Sequence, residues 1–142
     1  MKKPGCVVIG IVLLAIAGCG KTKPKDRKEV FPVHGSVWYE DKPAVGAEVT
    51  FHPVGEHPIK ATCPYGAAGD DGRFALSTYG GGDGAPAGEY TVTIVWPGPP
   101  PENSPGDPPP DRLNGRYNNL SRAAWHISVK PQANDLDPFQ LQ

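Results

Sequence analysis

The side chains able to do chemistry in this sequence are few and far apart. Cysteine stands at positions 6, 19 and 63, histidine at 34, 52, 57 and 126, and tryptophan at 38, 96 and 125. A thiolate is a nucleophile and a soft metal ligand, but a lone Cys63 in a strand-like segment reads as a small apolar residue. His34 and His52 fall on the outward phase of neighbouring strands and are expected to approach one another. Two imidazoles without a third ligand at motif spacing fall short of a zinc site, so no metal and no cofactor is expected. Asp70, Asp71 and Asp83 offer hard oxygen ligands of the kind Ca²⁺ takes from converging loops, yet their spacing matches no EF-hand and Asp-Asp-Gly reads first as a turn. Trp38 is the remaining candidate. On the outward phase beside His34 and His52, it is expected to be exposed and to stack on a sugar or anchor a protein partner.

The elements that must position these groups begin with an address. Lys2 and Lys3 make a positive start, and Val7 to Ala17 form an apolar run of signal-peptide length, too short for an ordinary membrane span. Its end, Leu14-Ala15-Ile16-Ala17-Gly18-Cys19, resembles the bacterial lipobox, in which the cysteine receives a diacylglyceryl group before cleavage in front of it. The resemblance implies a signal peptide over 1–18, palmitate-type acyl chains on Cys19, and a protein anchored to a membrane of the cell envelope. Two chains suffice for stable anchoring. Gly20 in place of aspartate favours the outer membrane over the periplasmic face of the inner one, by likeness to enteric lipoproteins. With Cys6 removed and Cys19 a thioether, Cys63 is left as the only free thiol and no intramolecular disulfide can form.

Charge divides the rest of the chain. Lys21 to Glu29 carries five basic and two acidic residues, whereas Val30 onward carries seven basic and thirteen acidic ones. The first segment, with no apolar periodicity, reads as a flexible tether, so that 19–32 spaces an acidic domain from the membrane. An acidic globule argues against nucleic acid as a partner.

From Val33 to Gln142 the pattern is that of strands and turns. Tyr90, Val92, Ile94 and Trp96 alternate with Glu89, Thr91 and Thr93, which marks a half-buried central strand that Pro97 ends. Further strands are expected over Val33 to Tyr39, Ala47 to Pro53, about Lys60 to Tyr65, Arg73 to Thr78, Trp125 to Val129 and Phe139 to Leu141. A turn is expected at Asp41 to Ala44, a hairpin turn at Asp70-Asp71-Gly72, and one helical turn in Asp111 to Tyr117. Eight of the fourteen positions from Pro97 to Pro110 are proline, so that loop should be extended. These spacings predict an all-β, single-domain β-sandwich of Greek-key type over 33–142.

The residues Gly35-Ser-Val-Trp-Tyr-Glu-Asp-Lys-Pro-Ala-Val-Gly-Ala-Glu-Val-Thr-Phe-His-Pro53, Asp71-Gly-Arg-Phe-Ala-Leu-Ser-Thr78 and Asp83-Gly-Ala-Pro-Ala-Gly-Glu-Tyr-Thr-Val-Thr-Ile94 resemble the carboxypeptidase regulatory-like, transthyretin-like domain of short bacterial lipoproteins. The turn before Phe74 is shorter than that family's usual one. The resemblance implies a non-enzymatic binding or scaffolding module with an envelope protein or glycan as partner. An alternative is a carbohydrate-binding module centred on Trp38, and a further one a metal-dependent enzyme. The related hydroxyisourate hydrolase closes on Tyr-Arg-Gly-Ser, which is absent here.

Overall fold

The computed structural model describes residues 26–57, 61–104 and 106–142. Among these, strands dominate and no α-helix occurs. The alternating segment forms the longest strand, β6 (Gly88–Val95), in an antiparallel sheet ordered β4 (Tyr65–Ala67), β3 (Glu48–Pro53), β6, β7 (Trp125–Val129). Register sets Val49 opposite Ile94 and Phe51 opposite Val92, so both strands turn the same apolar phase inward. All four side chains are fully buried.

The facing sheet hangs on a single strand, β1 (Val33–Tyr39). Its odd residues bond one neighbour: Leu76 and Ala44 donate to the carbonyls of Val33 and Val37, and Val37 donates to Gly72. On that edge lie β2 (Lys42–Pro43) and β5 (Arg73–Ala75), both antiparallel. Its even residues face the other edge, where β8 (Asn134–Asp135) and β9 (Phe139–Leu141) pair in parallel, one after the other. The two layers close on Val33, Val37, Phe74, Leu76, Phe139 and Leu141 against Val49, Phe51, Tyr90, Val92 and Ile94. Phe74 and Phe139 stack at 6.0 Å, and Trp125 leans on Phe139 at 5.1 Å. The molecule is thus a small β-sandwich.

Several local features depart from expectation for identifiable reasons. The first hairpin turns on Glu40 (φ 46) and Asp41 (φ 62), one residue early, because left-handed backbone at both central positions matches the twist of the flanking strands. The strand expected about Lys60 to Tyr65 is β4, which begins only at Tyr65; Lys60 lies outside the described residues. Pro64 accepts a bond from Phe51 N but has no N–H to return, so the ladder starts after it. Asp70-Asp71-Gly72 does turn the chain, with Gly72 at φ 76 and Asp71 Oδ1 accepting from Arg73 N at 3.0 Å. Its arms keep antiparallel backbone bonds, Gly69 N to Arg73 O and both ways between Tyr65 and Ser77, while the chain passes from β4 in one layer to β5 in the other. Asp111 to Tyr117 is a run of turns rather than a helix: the Asp111 carboxylate accepts from the N–H groups of Trp96, Leu113 and Gly115. A 3₁₀ turn, Leu120–Arg122, follows, capped by Asn119.

Two buried polar side chains fix the chain where it enters and leaves strands. Tyr90 sends its hydroxyl back to the carbonyl of Pro86 at 2.8 Å, the tyrosine-corner arrangement of β-sandwiches. Asn134 bonds Lys130 through both its carbonyl and its amide, and Gln132 as well, clamping the turn into β8. The Pro97 to Pro110 loop is closed at its base by Gly98 N to Pro110 O, 2.8 Å, and by Arg112 N to Trp96 O, 2.8 Å.

Candidate functional site

Strand alternation leaves each sheet with one outer face, and the candidate residues divide between them. On the β1-centred sheet, His34, Ser36 and Trp38 project outward in a row. Arg73 and Asp135, the register partners of Ser36 and His34, flank them. His34 is exposed, with Nδ1 3.8 Å from the Asp135 carboxylate. Trp38 is half-buried rather than exposed, because its indole lies along the strand and Nε1 donates to Ser36 Oγ at 3.1 Å. Between β8 and β9 the chain leaves β1, and an open groove of about 660 Å³ runs past His34, Ser36, Arg73, Asp135 and Leu136.

His52 stands on the other sheet. It belongs to β3, and β1 and β3 are not neighbours but opposing layers, so His34 and His52 point away from each other. The expected contact surface of Trp38, His34 and His52 therefore separates into Trp38 with His34 on one face and His52 on the other.

On the second face a different group comes together. The β3–β4 register pairs Thr50 with Tyr65, and continued by two residues it sets Cys63 opposite His52. Cys63 Sγ lies 3.7 Å from His52 Nδ1, while His52 Nε2 lies 2.8 Å from Thr93 Oγ1. Thr93 is buried although its phase is outward. Farther along the same row, Thr91 Oγ1 and His126 Nδ1 are 3.5 Å apart. A pocket of about 240 Å³, mostly apolar, opens over the pair between Pro53, Glu56, Ala61 and Leu120. Burial holds the His52 imidazole below its usual pKa; burial, and then the Glu56 carboxylate, hold the Cys63 thiol above its own. Both therefore rest in their neutral forms. Sequence reading missed the pair because it placed β4 too early; the signal was Pro64, which fixes where that ladder begins.

Of the three aspartates, Asp71 and Asp83 are engaged locally. Asp83 accepts from Thr78 N and Tyr79 N, closing the Gly80 to Gly84 loop, and Asp71 serves its own turn. Among the described residues no three His, Cys, Asp or Glu side chains lie close enough to hold a metal ion together. Cys19 and residues 1–25 lie outside the described residues.

The end of the tether is not a free spacer throughout. Arg27 lies over the Tyr79 ring at 4.8 Å, Lys28 N donates to Tyr79 Oη and Lys28 Nζ pairs with Glu56. Phe31 exchanges two backbone bonds with Ala85. The chain thus reaches the sandwich at the end where β1 and β6 begin. At the opposite end Trp96 packs on Tyr39, donates Nε1 to Val45 O and sits under Arg112.

No family model matches this sequence, and no curated protein matches it. Among solved structures, a 9R-lipoxygenase from Cyanothece PCC8801 is similar over 84% of this chain, at 14% identity and a TM-score of 0.41. The match spans 17% of the lipoxygenase chain.

Proposed function

We propose that this protein is a non-enzymatic lipoprotein of the bacterial cell envelope, anchored through acyl chains on Cys19, whose β-sandwich is a carboxypeptidase regulatory-like module that binds or scaffolds an envelope partner. The observation that carries this reading is positional: a basic start, an apolar run of signal-peptide length and a small-residue approach to Cys19, followed by a charged segment and then the first strand. The architecture supports it. Because Arg27 to Phe31 lie against one end of the sandwich, an anchor upstream of them turns that end toward the membrane. The eight residues of β6 then set the Trp96 end and the proline-rich loop about 25 Å farther out, at ~3.3 Å per residue. The partner surface on this reading is that outer end, with the Trp38 row along the side.

Cross-linking in intact cells of the native host, comparing wild type with Cys19→Ser, tests the proposal. A discrete cross-linked partner that disappears with the anchor is the expected result. A wild-type protein recovered in the soluble fraction would sink the anchor, and an anchored protein with no cross-linked neighbour would sink the binding role.

A further inference from the structure

The pair on the outer face of the β3–β6 sheet has the chemistry of a metal site smaller than zinc requires. One sulfur and one imidazole nitrogen face each other across the strand at 3.7 Å. The imidazole does not swing freely, because its far nitrogen is held by Thr93 at 2.8 Å. Such a bond from the second ring nitrogen is what fixes tautomer and ring direction in metal-binding histidines. In the tautomer that carries its proton on Nε2 and donates it to Thr93 Oγ1, the Nδ1 lone pair faces Cys63.

We infer that Cys63 and His52 form a two-ligand site for a soft monovalent metal ion, with Cu(I) as the ion of choice. Zinc takes four ligands in structural sites and at least three from protein in catalytic ones, so two donors leave it undersupplied. Thiolate and imidazole together suit copper, and a filled-shell monovalent ion is content with two donors in a near-linear arrangement. At metal–sulfur and metal–nitrogen distances of about 2.3 and 2.0 Å, an ion between the two atoms spans about 4.3 Å, roughly half an ångström more than the gap present. A small change in the Cys63 side-chain torsion supplies that. Binding forms an S–Cu and an N–Cu bond, breaks the S–H bond and releases its proton to solvent; the ion enters and stays as Cu(I). Pro53, Ala61 and Leu120 give the pocket beside the pair an apolar lining, and Glu56, ion-paired with Lys28, stands in the same lining.

The test uses the full-length protein, purified reduced in detergent under anaerobic conditions and titrated with Cu(I) held by the chromophoric chelator bicinchoninate. Wild type is expected to withdraw one equivalent of Cu(I). Cys63→Ser and His52→Gln are each expected to weaken binding by at least ~100-fold, and Thr93→Val, which keeps both ligands but releases the ring, by ~10-fold. Far-UV circular dichroism of each variant separates lost binding from lost fold, and Thr93→Val reads out ring orientation with the ligand set intact. A wild-type protein that leaves the chelator saturated overturns the site. So does retention of wild-type affinity by Cys63→Ser, which takes the sulfur out of the ligand set, or by His52→Gln, which reduces the site to a thiol alone.

Discussion

The two sheets of this sandwich are built in opposite ways, and their outer faces differ accordingly. The β6-centred sheet has long neighbours that stay in register over several residues, with six successive pairs between β3 and β6 alone. The β1-centred sheet is one strand serving four short ones, none longer than three residues, and the chain leaves it between β8 and β9. Continuous register between β3 and β6 sets His52 diagonally beside Thr93, and the residues that lead into β4 bring Cys63 alongside the ring. Interrupted pairing leaves a wide groove with a histidine, an arginine and an aspartate along it, but no convergent set.

This contrast can be broken by mutation. The largest effect is expected in the continuous sheet, where Phe51 is fully buried at its centre: Phe51→Ala should cost about 3–5 kcal/mol by denaturant unfolding. A loss below about 2 kcal/mol would mean that the β6 sheet is not the stability centre. Next comes Gly35→Ala in β1. An added Cβ meets the Phe74 ring at 2.7 Å, and overpacking of this kind costs about 1–3 kcal/mol. Retained stability would show the β1 sheet to be loose enough to shift around a methyl group.

Tyr90→Phe should be milder, about 0.5–1.5 kcal/mol for the bond to Pro86. It also carries a pH signature, since burial, reinforced by Glu56, raises the Tyr90 phenol from 10.0 to about 12. The unfolded phenol ionises first. Its contribution is therefore present below pH 10 and lost as pH rises through about 12, and Tyr90→Phe should flatten that alkaline fall. A variant that keeps the wild-type alkaline profile would assign the fall to another group.

The smallest effect is at the acid side. The His52 pKa is depressed below 6.5 by burial, so folding favours the neutral ring. Its contribution is present above pH 6.5 and lost as pH falls through the folded-state value. His52→Gln should remove that component from the stability profile between neutral and mildly acidic pH, and a variant that keeps the wild-type acid profile would assign the component to another group.

Much of the fold was legible because its signals are local. Val33 to Tyr39 and the Glu89 to Trp96 alternation announce strands through period-two patterning; the first came out as written, and the second forms Gly88–Val95, one residue earlier at each end. Phe74, Leu76, Phe139 and Leu141 point inward for the same reason. What stayed hidden depends on which strand lies beside which. His34 and His52 share an outward phase, but phase does not say which layer a strand joins, and so the sequence places together two rings that stand on opposite faces. Two-residue strands such as Lys42–Pro43 and Asn134–Asp135 carry no periodicity at all; they exist because β1 offers unpaired groups on both edges. Trp38 shows the same limit at the level of one side chain, since its contact with Ser36 is set by a rotamer rather than a spacing.

The lipid anchor is the claim on which the functional reading turns. Mass spectrometry of the N-terminal proteolytic peptide from the membrane fraction tests it directly. An anchored protein gives a peptide beginning at Cys19 and carrying a thioether-linked diacylglyceryl group. A peptide that extends upstream of Cys19, or one with an unmodified Cys19 thiol, would contradict it.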